Sequence, residues 1–77
     1  MKAYKNYAWI ISDSNLLGGK LAIRGPRLSV GLILECLASG MSLADIDDSF
    51  DRAFPHEAMP EVLAVAAELA DSFRVAA

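Results

Sequence analysis

Three cations in the first part of the chain, Lys20, Arg24 and Arg27, stand among three glycines, Gly18, Gly19 and Gly25. Turns explain the glycines, because a residue without Cβ takes positive φ at no steric cost. No backbone geometry requires the cations. A guanidinium can hold a carboxylate or a phosphate through two parallel N–H bonds, so these side chains suit an acidic protein site or a nucleic-acid backbone. The competing reading is an ion pair inside the chain, from Arg24 or Arg27 to Asp13 or Glu35.

The remaining reactive types form no catalytic set. His56 is the single histidine, beside Pro55, and reads as a solvated or capping residue. Cys36, the single cysteine, sits in an apolar run and reads as a small buried hydrophobe. Asp45, Asp47, Asp48 and Asp51 fan around one helix with no organising loop glycine, so they read as a solvated face rather than a cation site. Gly18-Gly19-Lys20 lacks the earlier glycine and the following Ser or Thr of a phosphate loop. With no Ser/His/Asp or Cys/His arrangement, the expectation is a protein that is not an enzyme and needs no cofactor or metal.

These residues must be placed by short elements. AWII at 8–11 and KLAI at 20–23 carry β-favouring types on either side of Gly18-Gly19, which predicts a β-hairpin or a looser reversal. Gly25-Pro26 then breaks the strand. VGLILECLASG follows with only Gly31, Glu35 and Ser39 outside its apolar set, spaced four apart, which predicts a packed central helix with Ser29 as N-cap and Gly40 just past its end. Ser42 and Asp45 form a capping-box pattern opening a second helix, with Leu43, Ile46, Phe50 and Phe54 as its apolar stripe and Pro55 as its limit. A third helix starts at Met59-Pro60 and runs to about residue 75. Val62, Ala66, Leu69 and Phe73 make its core stripe, Leu63 and Ala70 lie beside it, and Glu61, Glu68 and Asp71 face outward.

The expected fold is therefore mainly α. It is a single domain over 1–77, with an N-terminal segment and short β-hairpin over 1–28 and a three-helix, helix-turn-helix-like bundle over 29–77. A chain of 77 residues buries only about 60% of its unfolded surface, and 55% of this one is hydrophobic, so a homodimer joined through the hairpin and first residues is expected. Tyr4, Tyr7 and Trp9 suit packing over the hairpin or at such a seam better than stacking on bases. The net charge of −3 divides into +4 over residues 1–30 and −7 over 31–77, leaving a basic and an acidic surface. There is no apolar run long enough for a membrane span and no signal-like start, so no membrane contact and a cytoplasmic location are expected.

Leu17-Gly18-Gly19-Lys20, Ile23-Arg24-Gly25, Arg27 and the run from Val30 to Gly40-Met41-Ser42 together resemble the bacterial domain-of-unknown-function family four-three-three, where a stretch close to LGGKPVIRGTRIPV precedes a helix ending in a Gly-Met-Ser turn. Leu21, Pro26 and Ser29 depart from the usual Pro, Thr and Pro of that stretch, and residues are inserted near Asp51 to Pro55. The resemblance implies a homeodomain-like three-helix domain behind a hairpin, and an antitoxin-like protein that neutralises a PIN-like ribonuclease toxin and represses its own operon. Carried onto this sequence, it places Lys20, Arg24 and Arg27 at the interface with DNA or the partner, and Gly18, Gly19 and Gly25 at the turns. The alternative is a stand-alone regulator that binds operator DNA, for which the helices offer few cations and the N-terminal segment offers most.

Overall fold

The structure, a computed structural model, describes residues 2–15 and 17–72. Three short strands, β1 (Lys2–Ala3), β2 (Ile10–Ser12) and β3 (Ala22–Ile23), form an antiparallel sheet in that order. Ile10 pairs with Ile23 and Ile11 with Ala22, and since successive strand residues point to opposite faces, the two pairs lie on opposite sides of the sheet. All four are buried. The expected hairpin is thus β2 and β3, and β1 is an additional strand that makes the architecture mixed: a sheet followed by three helices. Lys2 and Ala3 are exposed edge residues, so no apolar alternation marks them in the sequence. Of the two readings of Gly18-Gly19, the structure shows the looser reversal: both lie in a 3₁₀ turn, Leu17–Gly19, within a longer connection between β2 and β3.

Helix α1 (Val30–Ala38) begins at Ser29, whose hydroxyl accepts from the Leu32 N–H at 2.8 Å. It ends where Gly40 takes a φ of 95°. There the Met41 N–H reaches the Cys36 carbonyl at 3.1 Å and the Gly40 N–H the Leu37 carbonyl at 3.0 Å, the double closure of a Schellman motif. Val30 and Ile33 of α1 are buried and Leu34, Cys36 and Leu37 are half-buried against the core, while Leu32 is 38% exposed, so the helix packs on part of its surface rather than nearly all round as expected.

Helix α2 (Leu43–Ser49) carries the expected capping box: Ser42 N–H to Asp45 Oδ2 at 2.9 Å and Asp45 N–H to Ser42 Oγ at 3.2 Å. It stops earlier than its apolar stripe predicts. Phe50 is the C-cap, and Asp51 and Arg52 both adopt left-handed backbone, with φ of 51° and 61°. The Arg52 N–H closes on the Asp47 carbonyl at 2.8 Å, and the reversal delivers Phe54, buried at 2% exposure, to the core from a loop.

After a 3₁₀ turn (His56–Ala58), helix α3 (Met59–Ser72) places Val62 and Val65 in the core with Ile10, Ile23, Ile33, Ile46 and Phe54. Pro60 lies in its first turn, where a missing N–H costs nothing. Leu69 was expected in the core but is 51% exposed, and Leu63 is 49% exposed. Phe73 and Arg74 lie outside the described residues.

Two carboxylates expected to face outward instead hold the N-terminal segment against α3. Glu61 accepts from the backbone N–H groups of Trp9 at 2.7 Å and Ala8 at 3.1 Å. Glu68, two turns further on, takes Lys5 Nζ at 2.7 Å and the Tyr4 hydroxyl at 3.4 Å. Tyr4 and Tyr7 stack with ring centroids 6.0 Å apart, and with Trp9 they pack on the chain's own core. Truncating Glu61 leaves two N–H groups without their charged acceptor, one of them on half-buried Trp9. Glu61→Ala is expected to cost about 2 kcal/mol and roughly 10 °C in Tm, whereas Asp71→Ala stays within about 0.5 kcal/mol. Thermal unfolding of both variants checks this; equal melting of Glu61→Ala and the parent contradicts the anchoring role.

Candidate partner-binding groove

The chain reverses tightly between β3 and α1. Gly25 takes a φ of 96° and Arg27, unusually for a non-glycine residue, 59°. The Arg27 N–H reaches the Ile23 carbonyl at 3.0 Å, Ile23 N–H the Leu28 carbonyl at 2.7 Å and Val30 N–H the Leu21 carbonyl at 3.0 Å. Ala22 and Ser29 form an isolated antiparallel bridge, so the chain folds back on β3 before the helix begins.

This reversal sets Arg27 and Lys20 along one open groove of about 680 Å³, with Leu28, Ser29, Gly31, Leu32 and Glu35. Most of its lining surface is apolar, and Lys20 and Arg27 are its cations. Lys20 and Arg27 are exposed, and neither has a carboxylate partner among the described residues. The groove also borders the first turn of α1, whose N–H groups carry partial positive charge and which contains no acidic residue. Glu35, one turn and more along the helix, is its one anionic side chain.

Arg24 is not part of this arrangement. Its N–H extends the β2–β3 pairing by donating to the Trp9 carbonyl at 2.8 Å, and its exposed side chain does not line the groove. The ion pairs weighed from Arg24 or Arg27 to Asp13 or Glu35 are absent among the described residues. Gly18 and Gly19, with φ of 67° and 86°, lie in the connection that ends at Lys20, and neither meets another atom where a Cβ would stand. The groove's apolar members, Leu28 and Leu32, are not singled out by the sequence: Leu32 sits within the apolar run of the first helix, and Leu28 is a lone apolar residue just before its N-cap. The useful signal was their proximity to cations that no turn requires.

Elsewhere, His56 Nε2 lies 2.8 Å from Asp47 Oδ1 and ties the 3₁₀ turn to α2. Asp47, Asp48 and Asp51 line a shallow depression with Arg52, and no group of His, Cys, Asp or Glu among the described residues could hold a metal ion. Cys36 is a half-buried free thiol packed against the core. No helix among the described residues is long and apolar enough to cross a membrane.

Residues 10–53 match a family model described as a protein of unknown function, DUF433. That stretch is more than half of the 77 residues, and the chain belongs to this family. No curated protein and no solved structure matches it. The matched stretch contains β2, β3, α1, α2 and every lining residue of the groove, while the N-terminal segment and α3, which Glu61 and Glu68 join, lie outside it.

Two of the carboxylates that form these local contacts are held below their ordinary range. Hydrogen bonding from Lys5 lowers Glu68, and the Ser42 backbone N–H, followed by its hydroxyl, lowers Asp45. The hydrogen bond to Glu68 in turn raises Lys5. A carboxyl depressed on folding stabilises the protein fully above its unfolded pKa and loses that contribution as pH falls through the folded value. A raised lysine contributes below its unfolded pKa and is lost as pH rises through the folded one. Stability should therefore fall on acidification below about pH 4, and less steeply in an Asp45→Asn/Glu68→Gln variant. Thermal melts from neutral to acid pH give the slopes; parallel curves contradict the assignment.

Proposed function

We propose that this chain is a non-enzymatic, antitoxin-like binding protein that captures and neutralises a PIN-like ribonuclease, with its contact built on the groove that holds Lys20 and Arg27. The observation that carries the reading is an apolar groove edged by two cations that have no carboxylate partner among the described residues, in a chain whose net charge is −3. Such a surface suits a partner that offers carboxylates beside apolar side chains, as a nuclease with an acidic centre does. The family matched is described only as of unknown function, so the antitoxin part of this reading rests on the motif resemblance from Leu17 to Ser42 and on the groove. On this reading the protein acts without a cofactor.

Repression of its own operon is the second activity proposed, and a stand-alone regulator is the alternative. Exposed Lys2, Lys20, Arg24 and Arg27 favour contact with operator phosphates. Against a helix-turn-helix reading, α2 and α3 carry Asp45, Asp47, Asp48, Glu61, Glu68 and Asp71, a charge that a DNA groove repels.

RNA cleavage by the PIN-like nuclease of a neighbouring gene, measured with rising amounts of the chain, tests the proposal. Inhibition is expected to saturate near equimolar ratio, and Lys20→Ala/Arg27→Ala should weaken it about tenfold or more, with Arg24→Ala closer to the parent. Full cleavage in the presence of excess chain overturns the reading. A shift of upstream DNA that weakens steeply with salt in the same preparation moves the weight to the regulator.

A further inference from the structure

We infer that the Lys20/Arg27 groove is also a self-association site, and that its occupant is the acidic C-terminal end of α2 in a second copy of this chain. Two charge patches each lie at a helix end of their own sign. Lys20 and Arg27 border the first turn of α1, where the helix dipole is already positive and the turn holds no acidic residue; Glu35, further along the helix, is the groove's one carboxylate and forms no ion pair with either cation. Asp47 and Asp48 occupy the last turn of α2, and Asp51 follows its C-cap, where the dipole is negative and no basic residue stands in the turn.

Each patch thus lies beside a helix end of its own sign. The relief available within the chain is limited: His56 engages Asp47, and Arg52 borders the acidic depression, but neither Lys20 nor Arg27 has an ion-pair partner among the described residues. Bringing the basic groove of one copy onto the α2 end of another places opposite charges at both helix termini and covers Leu32, which is 38% exposed beside Arg27. In a two-fold dimer the pairing is made twice. The hairpin face and the aromatic residues of the N-terminal segment are then not the seam, in keeping with the packing of Tyr4, Tyr7 and Trp9 on their own core.

Self-association through this groove competes with capture of a nuclease, so the free protein would hold its binding surface closed until a partner displaces the second copy. The inference does not depend on the nuclease, and its test uses the chain alone. Sedimentation equilibrium of the parent should show a dimer that weakens at least tenfold in affinity between about 20 mM and about 500 mM salt, as exposed charges become screened. Lys20→Glu/Arg27→Glu and Asp48→Lys/Asp51→Lys should each be monomeric alone, because each sets like charges against one another. Mixed in equal amounts, the two variants restore both pairings, and the dimer should return to within about threefold of the parent affinity. Circular dichroism confirms that each variant is folded. A monomeric parent at low salt, a dimer indifferent to salt, or folded variants that fail to pair when mixed would each overturn the inference.

Discussion

The reversal between β3 and α1 is the constraint on which the rest of the structure depends. Three backbone hydrogen bonds across residues 21–30 join the end of the sheet to the start of the helix, and Arg27 is held in left-handed backbone within them. A side chain in that conformation is disfavoured by about 1 kcal/mol or more relative to glycine, so the turn around it must be over-determined. It is: Ala22 bridges Ser29, and Ser29 then caps α1. The outcome is that a cation separated from Lys20 by a strand and a turn comes to share a groove with it, lined also by residues of the first turn of α1.

The remainder of the chain closes the core that this junction opens. β2 supplies Ile10, and the left-handed pair Asp51-Arg52 turns Phe54 inward from a loop. α3 adds Val62 and Val65 from beyond the stretch matched by the family. Its attachment is polar as well as apolar. Glu61 and Glu68, two helical turns apart, hold residues 4–9 along the helix, so that segments distant in the chain stabilise each other. The arrangement leaves the basic groove uncovered, and it leaves the acid-rich surface of α2 exposed.

Local chemistry made part of this legible in advance. Ser29, the Ser42 and Asp45 pair, and Gly40 announce helix ends through residue types whose side chains or backbone freedom the ends require. The central parts of β2 and β3 were likewise readable from their apolar residues. What was hidden depends on neighbours rather than on local preference. β1 is two exposed residues whose pairing exists only because β2 offers an edge. The early stop of α2 uses Asp51 and Arg52 in a conformation usually signalled by glycine. Glu61 and Glu68 looked like a solvated face, although their spacing of seven residues aligns them along one side of the helix. Of the three cations suspected of function, two meet in the groove and Arg24 does not, because the sheet register carries it elsewhere.

The central claim is that the surface between β3 and the first turn of α1 is where a protein partner meets this chain. Backbone amide shifts recorded while a neighbouring-gene nuclease is titrated into the labelled protein test it most directly. The account predicts that Lys20, Arg27, Leu28, Gly31 and Leu32 shift or broaden first and farthest, at a concentration where Asp71 and Ser72 are unchanged. Perturbations confined to α2 and α3, with residues 20–32 unmoved, would contradict it.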